Sequence, residues 1–240
     1  MNNLPESIFF NTSTITDGNM SFRIGDTGSS VSNRRSFLLK NDIDFKNHIS
    51  MRCDHGEEIT IVTSSHQACG ATTQSDMVLS EVLVTQEKGL ALMLLTADCL
   101  PVSFYDPVTE TIALAHLSRE TISRMLPEKT ISFLQKNFEV DSSNLLIHIG
   151  PHIHTDSYSF PLPQPDLSPS IAPFIKKTET HVHIHLVAAC NQQLARSGAL
   201  LGNISVSEID TATSLNHYSH YQSKKQNAPE GRLATILLLS

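Results

Sequence analysis

The stretch Ala91-Leu92-Met93-Leu94-Leu95-Thr96-Ala97-Asp98-Cys99-Leu100-Pro101-Val102-Ser103-Phe104-Tyr105 decides the fold class, together with Thr111-Ile112-Ala113-Leu114-Ala115-His116 just beyond the Asp106-Pro107 turn. Ala91–Thr96, Val102–Tyr105 and Thr111–His116 are apolar runs of strand length, rich in Leu, Val and Ile and separated by turn chemistry. Working outward, Ser7–Phe10 reads as an opening strand and Glu58–Ser64 alternates apolar and polar positions, as a half-buried strand does. Leu145–Ile149 and Leu233–Leu239 complete the strands. Helices fall between them. Val31–Lys40 has Ser30 or Ser32 as its cap, and Ser118 caps a helix through Met125. Pro127 suits the first turn of another that runs to Phe138. Leu186–Ser197 puts Leu186, Ala189, Cys190 and Leu194 on one face and stops at Gly198. The fold class is therefore mixed α/β or α+β, with sheet layers flanked by helices. Phe160–Pro173, with five prolines, reads as a surface loop; apolar strands lie on both sides of it, so residues 1–240 are expected to form a single domain.

Composition narrows the function classes. Seventeen Lys+Arg against 24 Asp+Glu give a formal charge of −7, which offers no electrostatic footprint for nucleic acid. No apolar run reaches the roughly 20 residues of a membrane helix. The start, Met1 to Glu6, lacks the basic and apolar regions of a secretory signal. Four scattered cysteines do not make a disulfide scaffold. A cytoplasmic protein is expected.

Twelve histidines stand out against the seventeen Lys+Arg. His181-Val182-His183-Ile184-His185 and His152-Ile153-His154 place imidazoles two apart, a spacing that copper and zinc sites use but that also describes the polar face of a strand. A sparser set is more informative. Pro101 breaks regularity straight after Cys99 and so places the cysteine at a strand end, where side chains reach pockets. His116 ends the run Thr111–His116, and His66 follows Glu58–Ser64. Two imidazoles and a thiolate make three corners of a tetrahedral zinc site with the fourth open, the arrangement of a catalytic zinc. Spacing alone equally admits an inert buried cysteine and two unrelated histidines, because no CxxC or HxxxH pair is present. Arg23, Arg34 and Arg119 are candidate oxyanion clamps or solvated surface arginines. Asp98 either orients a ligand or caps the following turn. Gly25-Asp26-Thr27-Gly28 reads as a turn.

The run SEVLVTQEKGLALMLLTADCLPVSFYDPVTETIALAH, from Ser80 to His116, resembles the core signature of the YfiH/laccase-domain family. The matching elements are Ser80–Thr85, Gly89–Leu92, Thr96–Val102, Asp106-Pro107 and Ala113–His116. Further similarity lies in Met20–Leu38, Ile147–Pro151, His217–Tyr221 and the EGRLATILLL segment near the end. The resemblance implies a single α/β domain and zinc held by His66, Cys99 and His116. It implies purine nucleoside phosphorolysis acting on adenosine, inosine, guanosine or methylthioadenosine, with phosphate as second substrate and adenosine deamination as an associated activity. The older laccase name implies copper. Multicopper oxidation needs around ten His/Cys ligands in linked sites, and only three are placed here.

The chain also departs from the family pattern. Where relatives continue after the last ligand as His-Ala-Gly-Trp-Arg-Gly, this sequence reads His116-Leu117-Ser118-Arg119-Glu120, and it has no tryptophan at all. Glu120 would repel a bound phosphate. In Ser219-His220-Tyr221-Gln222 a glutamine stands where relatives carry a cation. Besides the zinc-dependent phosphorylase, two further classes fit: a divergent, non-catalytic metal binder, and a hydrolase of cell-wall precursors with Cys99 as nucleophile.

Overall fold

Two large sheets stacked on each other organise the chain, as seen in a computed structural model that describes residues 4–162, 167–226 and 228–240. The five-stranded sheet runs in the order Ile8–Thr12, Leu233–Leu239, Ala91–Thr96, His48–Arg52 and Val78–Leu79. The six-stranded sheet runs Ile204–Val206, Leu146–Ile149, Leu100–Asp106, Thr111–Leu117, Val82–Thr85 and Ile59–Ile61. A small third sheet holds Ser159–Pro161, His181–Ile184 and Ile175–Lys177.

The near-continuous apolar character of the central strands follows from this stacking, since both their faces are covered. Leu92 and Leu94 face the second sheet, packing with Leu83, Ile112 and Leu114. Ala91 and Met93, one residue out of phase, face the other way onto Phe37 and Leu38 of the helix Thr27–Lys40. The outer face of the six-stranded sheet, with Val84, Phe104 and Ala115, is covered by helices Leu126–Phe138 and Leu186–Arg196. The layers are thus helix, sheet, sheet, helix. Each fully buried Leu or Ile in this stack is worth about 1.5–3 kcal/mol. The mixed α/β class with helix-flanked sheets is what the alternation of short apolar runs and amphipathic segments indicates. Among the described residues no helix is long and apolar enough to cross a membrane.

Several boundaries move for physical reasons. The first helix starts at Thr27, capped by Asp26, whose carboxylate accepts from the Ser29 N–H at 2.7 Å. Ser30 is not the cap; it sits inside the first turn and donates to the Ser21 carbonyl at 2.7 Å. Ser118 does cap the helix Arg119–Ser123, accepting from the Thr121 N–H. The alternating run Glu58–Ser64 pairs only over Ile59–Ile61, and Ser64–His66 closes into a 3-10 turn. Within the expected loop Phe160–Pro173, Phe160 instead belongs to the strand Ser159–Pro161, paired with His181–Ile184, and Ala172–Phe174 is a 3-10 turn. Residues 163–166 of that segment lie outside the described residues.

Candidate metal centre and adjoining pockets

Cys99 lies where the chain passes from one large sheet to the other, between the end of Ala91–Thr96 and the start of Leu100–Asp106. Asp98, just before it, has φ +90°, a conformation that L residues rarely adopt. Two hydrogen bonds hold it: Oδ1 accepts from the Thr211 hydroxyl and Oδ2 from the Tyr221 N–H, both at 2.7 Å. Asp98 therefore ties the helix His220–Gln226 over the crossing.

His116, 5% exposed, is the last residue but one of the strand Thr111–Leu117, beside this crossing. Its Nδ1 meets Glu81 Oε2 at 2.6 Å. The other Glu81 oxygen accepts the backbone N–H groups of Asp54 and Gly56, at 2.8 and 3.1 Å. One buried carboxylate thus orients the His116 ring and pins the turn that carries His55. His55 itself sits in the left-handed region at φ +63°, immediately before Gly56. Ligand-type atoms of His55, Cys99 and His116 all lie within 4.8 Å of one another.

The charges in this cluster are coupled. Burial pushes the Cys99 thiol up, but His116 and His55 pull it down further, to about 7. Burial opposes a charge on His116, yet the Cys53 and Cys99 sulfurs raise its pKa well above the ordinary value. The Cys99 sulfur beside it raises the pKa of His55. Glu81 stays low despite burial because His116 and two backbone amides bond its ionised form. A second triplet, Cys53, Glu81 and His116, shares the same imidazole, and burial keeps the Cys53 thiol protonated to higher pH.

The structure brings Cys99 and His116 together but does not bring His66 to them. The reason is strand direction. His116 follows Ala115, which is opposite Val82, so it lies at the start of the strand Val82–Thr85. Ile59–Ile61 runs parallel to that strand, with Ile59 opposite Val82. The residues before Ile59 are therefore near His116, and those after Ile61 are carried to the far end. His66 has its Nδ1 engaged locally, with the Thr63 N–H at 3.2 Å. His55 is the residue whose ring nitrogen lies with the Cys99 and His116 ligand atoms instead. The available signal was an imidazole followed by glycine just before a short strand; which end of the strand faces the site depends on pairing that no local pattern encodes. Glu81 was missed for a similar reason, since a single glutamate at a strand start looks like an exposed edge.

The remaining site expectations divide between two cavities. Arg119 lines one of about 390 Å³ together with Cys99, Tyr158, Phe160 and Tyr221. Its guanidinium is 2.8 Å from Glu120 and stands 5.5 Å from the Phe160 ring. Lys224 and Lys225 line the same pocket, so cations are present within one turn of Gln222. Arg23 and Arg34 line a separate cavity of about 110 Å³, which Cys53 also borders. The other paired histidines are accounted for structurally. His181 and His183 alternate with buried Val182 and Ile184 along a strand, and His183 bonds the Thr155 carbonyl. His152 and His154 pack ring to ring at 4.8 Å without joining either ligand triplet. Cys190 is buried on its helix face, its thiol pushed up to about 12.

Comparison with known proteins agrees with this architecture. A purine nucleoside phosphorylase of Geobacillus stearothermophilus, YlmD, is 26% identical over 228 residues, 91% of this chain and 82% of that protein. A purine nucleoside phosphorylase of Clostridium acetobutylicum is 30% identical over 98 residues, 37% of this chain and 42% of that protein. The crystal structure of YlmD from G. stearothermophilus superposes with a TM-score of 0.87 at 22% identity, covering 98% of this chain and 92% of that one. The family described as multi-copper polyphenol oxidoreductase laccase matches residues 10–240, and the chain belongs to it.

Proposed function

We propose that this protein is a zinc-dependent purine nucleoside phosphorylase whose nucleoside binds in the Arg119 pocket, above Cys99. The observation that carries this reading is the convergence of two imidazoles and a low-pKa thiol within 4.8 Å at the edge of a pocket walled by Tyr158, Phe160 and Tyr221. The donor set fits zinc. Two nitrogens and one sulfur leave a tetrahedral position open, and Glu81 on His116 Nδ1 is the carboxylate–histidine support such ligands use. Copper fits less well, because both ligand triplets among the described residues share His116 and so supply no linked copper sites.

His55, Cys99 and His116 would hold the ion. A zinc there supplies Lewis-acid polarisation. The chain's own groups do the rest. The aromatic walls stack on the purine. Arg119 holds phosphate next to the ribose, so that a phosphate oxygen bonds to the anomeric carbon as the carbon–nitrogen bond breaks. His220, Lys224 and Lys225 are donors in the pocket that can protonate the departing base. Adenosine deamination is a side reaction the same pocket can host. Glu120 works against phosphate by pairing with Arg119, which favours slow turnover.

The test is release of free base and ribose 1-phosphate from adenosine and inosine by the zinc-loaded protein. Release that scales with phosphate supports the proposal, and base release independent of phosphate rejects it. If neither base nor ammonia appears, the protein is a non-catalytic metal binder. If activity survives metal removal, Cys99 acts as a hydrolase nucleophile instead.

A further inference from the structure

The smaller cavity holds a buried positive charge that the protein does not neutralise. Arg34, in the helix Thr27–Lys40, is 0% exposed. Its Nε donates to the Met20 carbonyl at 2.7 Å, and Nη1 donates to the Gly70 carbonyl at 2.7 Å and the Ser50 hydroxyl at 3.4 Å. The guanidinium carbon Cζ lies 3.8 Å from the Phe22 ring centre. Every one of these partners is neutral. The third nitrogen, Nη2, is buried and has no partner. Burial lowers the Arg34 pKa to about 10, which leaves it charged at neutral pH.

Arg23, Arg52 and Arg232 border the same cavity of about 110 Å³, and among the described residues no acidic side chain lines it. Among the described ion pairs only Arg232 has a carboxylate, Glu230 at 3.7 Å, and that carboxylate is also bonded to His220. Burying an ion without its counter-charge is costly, and proteins meet that cost with a paired charge or a bound ion. Guanidinium groups present planar donor pairs that match tetrahedral oxyanions. The volume suits one small anion and excludes a polymer.

We propose that this cavity is a tetrahedral oxyanion site, taking inorganic phosphate or the phosphate group of a phosphorylated sugar, with the uncompensated charge of Arg34 buried behind its wall and Arg52 and Arg232 as the determinants of affinity. The site goes beyond the nucleoside pocket and stands whether or not the reaction is phosphorolysis. Cys53 borders the cavity, and its sulfur lies within 4.8 Å of a His116 ring nitrogen, so the anion would lie next to the metal cluster.

Calorimetric titration of the full, zinc-loaded chain tests this without any nucleoside. The titration uses the Arg119→Ala background, which removes the clamp of the other pocket. Inorganic phosphate should bind at one saturable site there. Adding Arg52→Gln or Arg232→Gln should weaken it by about tenfold or more, with zinc content and circular dichroism unchanged. Arg52 and Arg232 are both half-buried and lie on different segments, so either variant keeps the test sound if the other misfolds. Parallel titration with ribose 1-phosphate separates the two sources: tighter binding than phosphate identifies a sugar phosphate, weaker or none the free anion. Absence of saturable binding by both, or affinity indifferent to Arg52 and Arg232, overturns the proposal. Binding without base release would leave this site standing and reject phosphorolysis alone.

Discussion

The Cys99 cluster and the Arg34 cavity border the same residue, Cys53, and solve the problem of buried charge in opposite ways. Around Cys99 the groups satisfy one another: Glu81 holds His116, and His116 and His55 draw down the Cys99 thiol. Around Arg34 the hydrogen bonds go to neutral carbonyls, and one guanidinium nitrogen is left with nothing. A cluster of mutually supporting N and S donors is organised for a cation. A convergence of guanidiniums with an unmet donor is organised for an anion.

The comparison breaks most visibly at Cys99. Cys99→Ser replaces a thiol of pKa about 7 with a hydroxyl that stays protonated. Zinc retention and turnover should both be lost, an effect larger than the roughly 10–100-fold cost of altering a residue behind a ligand. Elemental analysis and the base-release assay read both losses. Glu81→Gln tests that outer position. It keeps a hydrogen-bond acceptor but removes the charge, and zinc affinity should fall by about 10–100-fold in competition with a chelator.

Arg119→Ala removes a charge-assisted contact worth about 1.5–3 kcal/mol, or about ten- to a hundredfold. The phosphate concentration for half-maximal turnover should rise by that factor, while the nucleoside requirement changes less. The smallest effect concerns the stability of the fold. Burial lowers the pKa of His48, His148 and His152 from 6.5 to about 4. Each stays neutral when folded but takes up a proton below 6.5 when unfolded. Their stabilisation is full above pH 6.5 and is lost as pH falls from 6.5 towards 4. At pH 5 the loss is roughly 1–2 kcal/mol per histidine, readable as a falling urea midpoint. His48→Gln should flatten that slope.

The layered fold was legible because it rests on local patterns. Ala91–Thr96 and Leu233–Leu239 are uninterrupted apolar runs, and Ser118, Pro127 and Gly198 mark helix ends by chemistry that acts within a few residues. Cys99 and His116 were legible together for the same reason, each lying next to a strand end: Cys99 directly before Leu100–Asp106 and His116 one residue before the end of Thr111–Leu117. His55 was not, because its place depends on Ile59–Ile61 running parallel to Val82–Thr85. Glu81 and Arg34 were not legible as buried groups, because charge in a sequence reads as surface. Their burial appears only once the 53–56 turn closes over Glu81 and the first helix packs against the five-stranded sheet.

The central claim is that His55, with Cys99 and His116, forms the metal centre and His66 does not. Zinc per chain, measured by elemental analysis after exhaustive dialysis of wild type, His55→Ala and His66→Ala, tests it most directly. One zinc in wild type and His66→Ala, with none or a weakly held fraction in His55→Ala, is the predicted result. Zinc lost from His66→Ala and retained in His55→Ala would contradict the account.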